Sequence, residues 1–206
     1  MVDASDDFLS LEGILIEHTP KGESYELLKF ISRENGLFSS LWRPSGKKQQ
    51  ERLDLFDWGH WNFNHSKKSD TWFLQEHSKE QPYFNLSKHY KNFLAATDWC
   101  HFLGKNLAFC EWDDVFYETL TAALKALSEG TDASVVLLKC YYSFARTEGY
   151  PVKEAWLQGL PVETRQRARY YLTTPLLQLK IEPAQASEIL ERLKMWLKGY
   201  TELIIH

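Results

Sequence analysis

The sequence is poor in cysteine. Three thiols, at positions 100, 110 and 140, stand in 206 residues, an odd number at wide spacing with no Cys-x-x-Cys. That excludes a disulfide framework and points to free, buried thiols in a reducing cytosol. Excess positive charge is also missing: 24 Lys and Arg face 28 Asp and Glu, a net charge of −4. Such a chain does not grip nucleic acid by bulk charge. No apolar run approaches the ~18 residues of a membrane-spanning helix, so no membrane association is expected. Residues 1–7 carry three Asp and neither Lys nor Arg, the opposite of a secretory signal or a mitochondrial presequence. No Gly-rich phosphate loop, Gly-x-Ser-x-Gly turn or His-x-x-x-His pair occurs. An enzyme would need a nucleophile and base that the motifs do not supply, so neither catalytic residues nor a cofactor is expected. Cys100, His101 and Cys110 lack a fourth ligand at suitable spacing, and adjacent helical residues diverge by about 100°, so no metal site is expected either.

What is present is apolar and aromatic. Hydrophobic residues make up 44% and aromatic residues 15%, enough to build real cores and to argue against disorder. The first eighty residues read as strands. Residues 8–18 alternate and end at the turn Thr19-Pro20-Lys21-Gly22. Residues 25–32 carry apolar groups on both faces, as in a strand buried on two sides. Asn35-Gly36 marks a tight turn. Residues 37–42 form a third strand, stopped by Pro44-Ser45-Gly46; residues 53–63 a fourth, with Gly59 at a bulge or bend; residues 71–77 a fifth. Five short strands joined by short turns suggest a small closed barrel of the OB type.

Near Pro82 the period changes to three and four. Tyr90, Phe93, Leu94 and Thr97 form one apolar stripe, with Gly104 as a C-terminal cap. A second stripe runs from Trp112 to Leu127 and stops at Gly130. Asp132 is an N-cap for a helix over 133–147, broken at Gly149-Tyr150-Pro151. A short helix over 152–157 follows, then helices over 161–172 and 183–200. The expected architecture is α+β: a five-stranded OB-fold barrel in residues 1–81 and an all-α domain in residues 82–206.

The segment 41–68 stands out chemically. Arg43, Lys47, Lys48, Arg52, Lys67 and Lys68 face only Glu51, Asp54 and Asp57 there, in a chain that is otherwise acidic. Trp42, Phe56, Trp58, Trp61 and Phe63 are interleaved with those charges. Cations neutralise phosphates while flat rings stack on bases, the pairing that holds single-stranded nucleic acid. Near-alternate aromatics are equally explained as barrel core, with the lysines in solvated loops. The helical part has its own aromatics, Trp99, Phe102, Phe109, Trp112, Trp156 and Trp196, which either pack the core or line grooves for a partner peptide.

The order of these features resembles the RecO family of bacterial recombination mediators. The resemblance is densest over Leu11-Glu12-Gly13-Ile14-Leu15-Ile16, Gly22-Glu23-Ser24, and Ser32-Arg33-Glu34-Asn35-Gly36-Leu37. Trp42-Arg43-Pro44-Ser45-Gly46-Lys47-Lys48 matches the family's basic loop in charge but not in its Lys-Gly-Ala pattern. Phe144, Gly149, Tyr150 and Pro151 resemble its Gly-Tyr-x-Pro segment, and residues 190–203 its closing helix. Val152-Lys153-Glu154 stands where many members carry a four-cysteine zinc module, so no zinc is implied.

The resemblance implies a non-enzymatic role in DNA repair and recombination: binding single- and double-stranded DNA, annealing strands and loading the recombinase. The implied partners are RecR, RecF in some lineages, and the C-terminal tail of single-stranded-DNA-binding protein, in a bacterial cytoplasm at the nucleoid. The DNA-binding candidates by position are Arg43, Lys47, Lys48 and Arg52, with Trp42 as a stacking platform and Lys21 in the first turn. The alternative is an OB-fold and helical protein-interaction module that has lost DNA binding; residues 1–80 carry 10 Lys and Arg against 14 Asp and Glu.

Overall fold

Alternating apolar residues and glycine turns make five strands in the computed structural model, which describes residues 7–44 and 52–205. They are β1 (Phe8–Lys21), β2 (Tyr25–Ser32), β3 (Gly36–Trp42), β4 (Trp58–Ser66) and β5 (Thr71–Glu80). They close in the order β1-β2-β3-β5-β4, with β4 back on β1. The pairings are antiparallel except β3 with β5, which run parallel and meet at Leu41 and Phe73. This is an OB-fold barrel. β1 serves two neighbours: its first half pairs with β4, its second with β2, and a bulge between Leu15 and Glu17 redirects it. The tight turn before β3 rests on Gly36, whose φ of 65° a side chain would disfavour.

Closure brings four strands together at one glycine pair. Gly13 and Gly59 face each other across β1 and β4. A Cβ on Gly59 would lie 2.2 Å from the Ser78 carbonyl oxygen, and one on Gly13 2.8 Å from that of Ile31. Gly59 is therefore a point of close backbone approach rather than the expected bulge, which lies instead between Asn62 and Phe63. The fourth strand also begins later than its apolar residues suggest. Residues 53–57 are no strand, because Asp57 bends the chain: its Oδ2 accepts the Asp54 N–H at 2.8 Å and the Lys79 ammonium at 2.6 Å. Leu53 then enters the barrel core, and Phe56 is buried with a φ of 71°. The barrel core is Leu11, Leu15, Leu28, Phe30, Trp42, Leu53, Trp61, Phe63 and Leu74. Trp61 satisfies its buried indole N–H on the Gly13 carbonyl at 3.0 Å.

The chain divides into two units, Met1–Tyr83 and Phe84–His206. The second holds α1 (Tyr90–Asn106), α2 (Asp114–Ser128), α3 (Ala133–Thr147), a π-helical segment (Val152–Leu157), α4 (Val162–Thr173) and α5 (Pro183–Tyr200). Asp132 caps α3 by accepting the Ser134 and Val135 N–H groups at 3.0 and 3.2 Å. α3 is central and packs on α1, α2, α4 and α5. Its Tyr141 and Phe144 meet Trp99 and Phe102 of α1 and Phe116 of α2 in one aromatic cluster.

α1 differs from its expected orientation. Ala95, Ala96, Trp99, Cys100, Phe102 and Leu103 face inward, while Tyr90 is 73% and Leu94 43% exposed. The buried face carries more apolar area and three small residues that admit neighbouring helices, so it outcompetes the Tyr90 stripe. Gly104 lies buried within the helix, which ends two residues later at Asn106. No described helix is long and apolar enough to cross a membrane.

Candidate nucleic-acid interface

The outer face of β2, β3 and β5 is set by strand alternation. Leu28 and Phe30 of β2, Trp42 of β3 and Leu74 of β5 point into the barrel. Their neighbours Tyr25, Leu27, Leu41 and Phe73 point out and are half-buried. Register aligns them: Leu27 lies opposite Leu41, and Leu41 beside Phe73. The Tyr25 and Phe73 rings stand 5.8 Å apart, tilted by 60°. The Arg43 guanidinium lies 5.9 Å from the centre of the Tyr25 ring. Lys21 is exposed and directly across the β1–β2 ladder from Tyr25. Arg43 thus lies over the Tyr25 ring, and Lys21 is the residue paired with Tyr25 in register. Pro20, Gly22, Ser24 and Pro44 complete a shallow cleft of about 340 Å³ around it.

Carboxylates temper this charge. Glu23 and Glu26 line the same cleft, although Glu26 is engaged by the His18 ring. Lys29, further along β2, is held by Glu17 at 2.9 Å. In the β4–β5 turn, Lys67 meets Asp7 at 3.0 Å.

The sequence-derived candidates separate into groups. Arg43 lies over Tyr25, and Lys21 is the register partner of Tyr25 on β1. Arg52 stands apart: its carbonyl is bound by Lys79, which pairs in register with Gly59 and, through it, with Gly13, eight residues of β1 away from Lys21. The Arg52 side chain is 89% exposed, with Nε 3.6 Å from Asp54. Lys47 and Lys48 lie outside the described residues. Trp42 is 8% exposed, and its ring belongs to the core, 6.1 Å from His18. It offers no open face to a base, because its position in β3 points inward, in phase with Ser40. Phe56, Trp61 and Phe63 are likewise core. The interleaved aromatics of this segment thus fill the barrel, with Trp58 half-buried.

Tyr25 and Phe73 were not among the candidates. One signal did exist: Trp72-Phe73-Leu74 is an apolar run in a strand, so one of the three must face outward. No group of three or more metal-ligating side chains occurs among the described residues. No protein-family model matches the chain, and no curated protein matches it.

Proposed function

We propose that the chain is a non-catalytic mediator of DNA repair and recombination, of the kind RecO represents. Its OB-fold binds single-stranded DNA across β2, β3 and β5. The observation that supports this reading is the Tyr25–Phe73 ring pair on the barrel's outer face, with Arg43 over Tyr25 and Lys21 paired with it in register. The strand 2–3 face is where OB-folds take oligonucleotides, and stacking on such rings contributes roughly 1–3 kcal/mol per base without reading sequence. With few free cations, affinity rests on stacking more than on phosphate contacts. In this reading Lys47 and Lys48 add phosphate contacts. Double-stranded DNA, RecR, RecF and the tail of single-stranded-DNA-binding protein are the further partners, within a bacterial cytoplasm.

Fluorescence anisotropy with a labelled oligothymidine, titrated across salt, tests it. Micromolar binding is expected, with a shallow salt slope that falls by about 0.7 when Arg43→Gln removes one phosphate contact on a single strand. Phe73→Ala should cost about tenfold or more in affinity, as loss of one stacked base implies. Absence of binding even at low salt refutes the reading. The pairing of Lys29 and Lys67 with carboxylates favours the second reading, in which the same half-apolar face holds a protein and has lost DNA. In that case RecR would bind where DNA does not.

A further inference from the structure

α5 carries a surface that the helical core does not use. Glu188, Glu191, Arg192, Met195, Trp196 and Tyr200 recur at three and four, so they form one stripe over about three turns, roughly 18 Å long. Opposite the stripe runs the π-helical segment and the residues just after it. Between them lies a groove of about 670 Å³, floored by the buried Trp156 and Leu160. Its α5 wall is open and apolar at one end: Met195 is 71% and Tyr200 75% exposed, and Trp196 stacks on Tyr200 at 5.8 Å and 20°. Bulky apolar groups left in water along a concave surface mark an interaction site rather than a solvated face. A π-helical wall adds to this, since such turns are rare and concentrate at functional sites.

The other end of the groove is acidic. Arg192 folds back on Glu188, placing Nε and Nη2 at 3.0 and 2.9 Å from the same carboxylate oxygen. Those two charges cancel. Glu191 then stands on the groove with no ion pair among the described residues. The groove is therefore polarised, with a carboxylate at one end and an aromatic and thioether surface at the other.

We infer that this groove docks an amphipathic helix of another protein, with a Lys or Arg set over Glu191 and bulky apolar side chains against Met195, Trp196 and Tyr200. Helix-in-groove recognition reads anchors at i, i+3/4 and i+7, the spacing that the stripe itself presents. About twelve residues match its length. An acidic segment is disfavoured, because its carboxylates would meet Glu191, the one groove carboxylate that Arg192 does not neutralise. The partner is thus chemically distinct from the acidic tail of the proposed function, and the surface is independent of the barrel face.

The test is anisotropy of the full chain with two labelled helical peptides of about 14 residues, one of Leu and Lys, the other of Leu and Glu in the same pattern. The Leu/Lys peptide should bind at micromolar concentration. Met195→Glu should weaken it by about tenfold or more, the loss typical of a central anchor. Glu191→Lys should weaken it similarly and raise affinity for the Leu/Glu peptide. Circular dichroism of both exposed-site variants should match the parent, and their oligothymidine affinity should be unchanged, so failure here and failure of DNA binding are separable. Three results would overturn the inference: no binding of the Leu/Lys peptide, equal binding by parent and Met195→Glu, or equal binding of both peptides. Sedimentation that shows a parent dimer dissociated by Met195→Glu would also overturn it, by assigning the groove to a second copy of this chain.

Discussion

Lys79→Met should cost the barrel a large share of its stability. The ammonium and the Asp57 carboxylate are 3% and 1% exposed and stand 2.6 Å apart. The same ammonium binds the Arg52 carbonyl, and the same carboxylate oxygen accepts the Asp54 N–H at 2.8 Å. Two backbone bonds then strap this loop onto β1: the Leu15 N–H to the Asp57 carbonyl at 2.9 Å and the Phe56 N–H to the Leu15 carbonyl at 2.8 Å. The ion pair holds the loop that sets Leu53 in the barrel core and buries Phe56. Methionine nearly preserves the lysine volume, so packing changes little and the electrostatic loss dominates. Removing one partner leaves a buried carboxylate with a single hydrogen bond, a loss of about 3–5 kcal/mol. Against the ~5–15 kcal/mol total of a typical domain this is severe. Asp57→Leu combined with Lys79→Met should recover most of it, because replacing a whole buried pair by apolar groups is close to neutral. The assay is urea denaturation of the full chain, with exchange of the Trp61 indole proton as the barrel's own reporter. A single-variant loss under about 1 kcal/mol, or no recovery in the double variant, would refute a buried ion pair as the clamp.

Three further outcomes are expected. Gly59→Ala places a methyl 2.2 Å from the Ser78 carbonyl oxygen and must push β4 and β5 apart, so it should lower the barrel's denaturation midpoint by the equivalent of about 1–3 kcal/mol, whereas Gly159→Ala, which meets nothing within 4 Å, should not. Asp132→Ala removes the cap of α3 and should cost about 1 kcal/mol in the helical unit, measured by far-ultraviolet dichroism against urea. Burial pushes the Cys140 thiol up to about 12 and raises Cys100 further, and burial with the Glu148 carboxylate pushes Cys110 up to about 12. Unfolded thiols therefore ionise first. The stability these thiols contribute is complete below about pH 8.5 and falls as pH rises towards the folded values, by at most ~1.4 kcal/mol per pH unit for each of the two buried thiols, Cys100 and Cys140. Denaturant midpoints at pH 8 and 10, with Cys140→Ala flattening the difference, check this.

Local chemistry made much of the fold legible. Asn35-Gly36 could only be a turn, Asp132 lies one residue before an apolar periodic run, and Gly149-Tyr150-Pro151 cannot continue a helix. Such signals act within a few residues, so strand number, helix number and the change of period near Pro82 follow from them. The change was placed at 81/82 and the units part at 83/84. α1 was misread because it has two apolar faces, and periodicity alone does not say which one a neighbouring helix will cover. The Tyr90 face is the larger-looking in sequence, yet the inward face offers Ala95 and Ala96, and small residues let helices approach.

The candidate site was legible only in part, for the same reason. Lys21 and Arg43 were visible as cations beside turns. Tyr25 and Phe73 lie 48 residues apart, and only barrel closure, with β3 parallel to β5, sets their rings side by side. Trp42 stands just before the basic stretch and in sequence looks like a platform, but phase within β3 turns it inward. Gly59 in sequence looks like a local irregularity, although its reason is the backbone of a strand nineteen residues on.

By itself, then, the sequence determined the elements: five strands, a helical remainder, their turns and caps, and an acidic chain without catalytic motifs. Those follow from backbone preference and apolar period, which need no partner. Tertiary structure alone decided which face of each element meets the core, which cations are spent on distant carboxylates such as Lys79 on Asp57 and Lys67 on Asp7, and which aromatics remain on the outer face. These depend on register and closure. A one-residue shift in a strand exchanges its two faces, and no local signal carries that information.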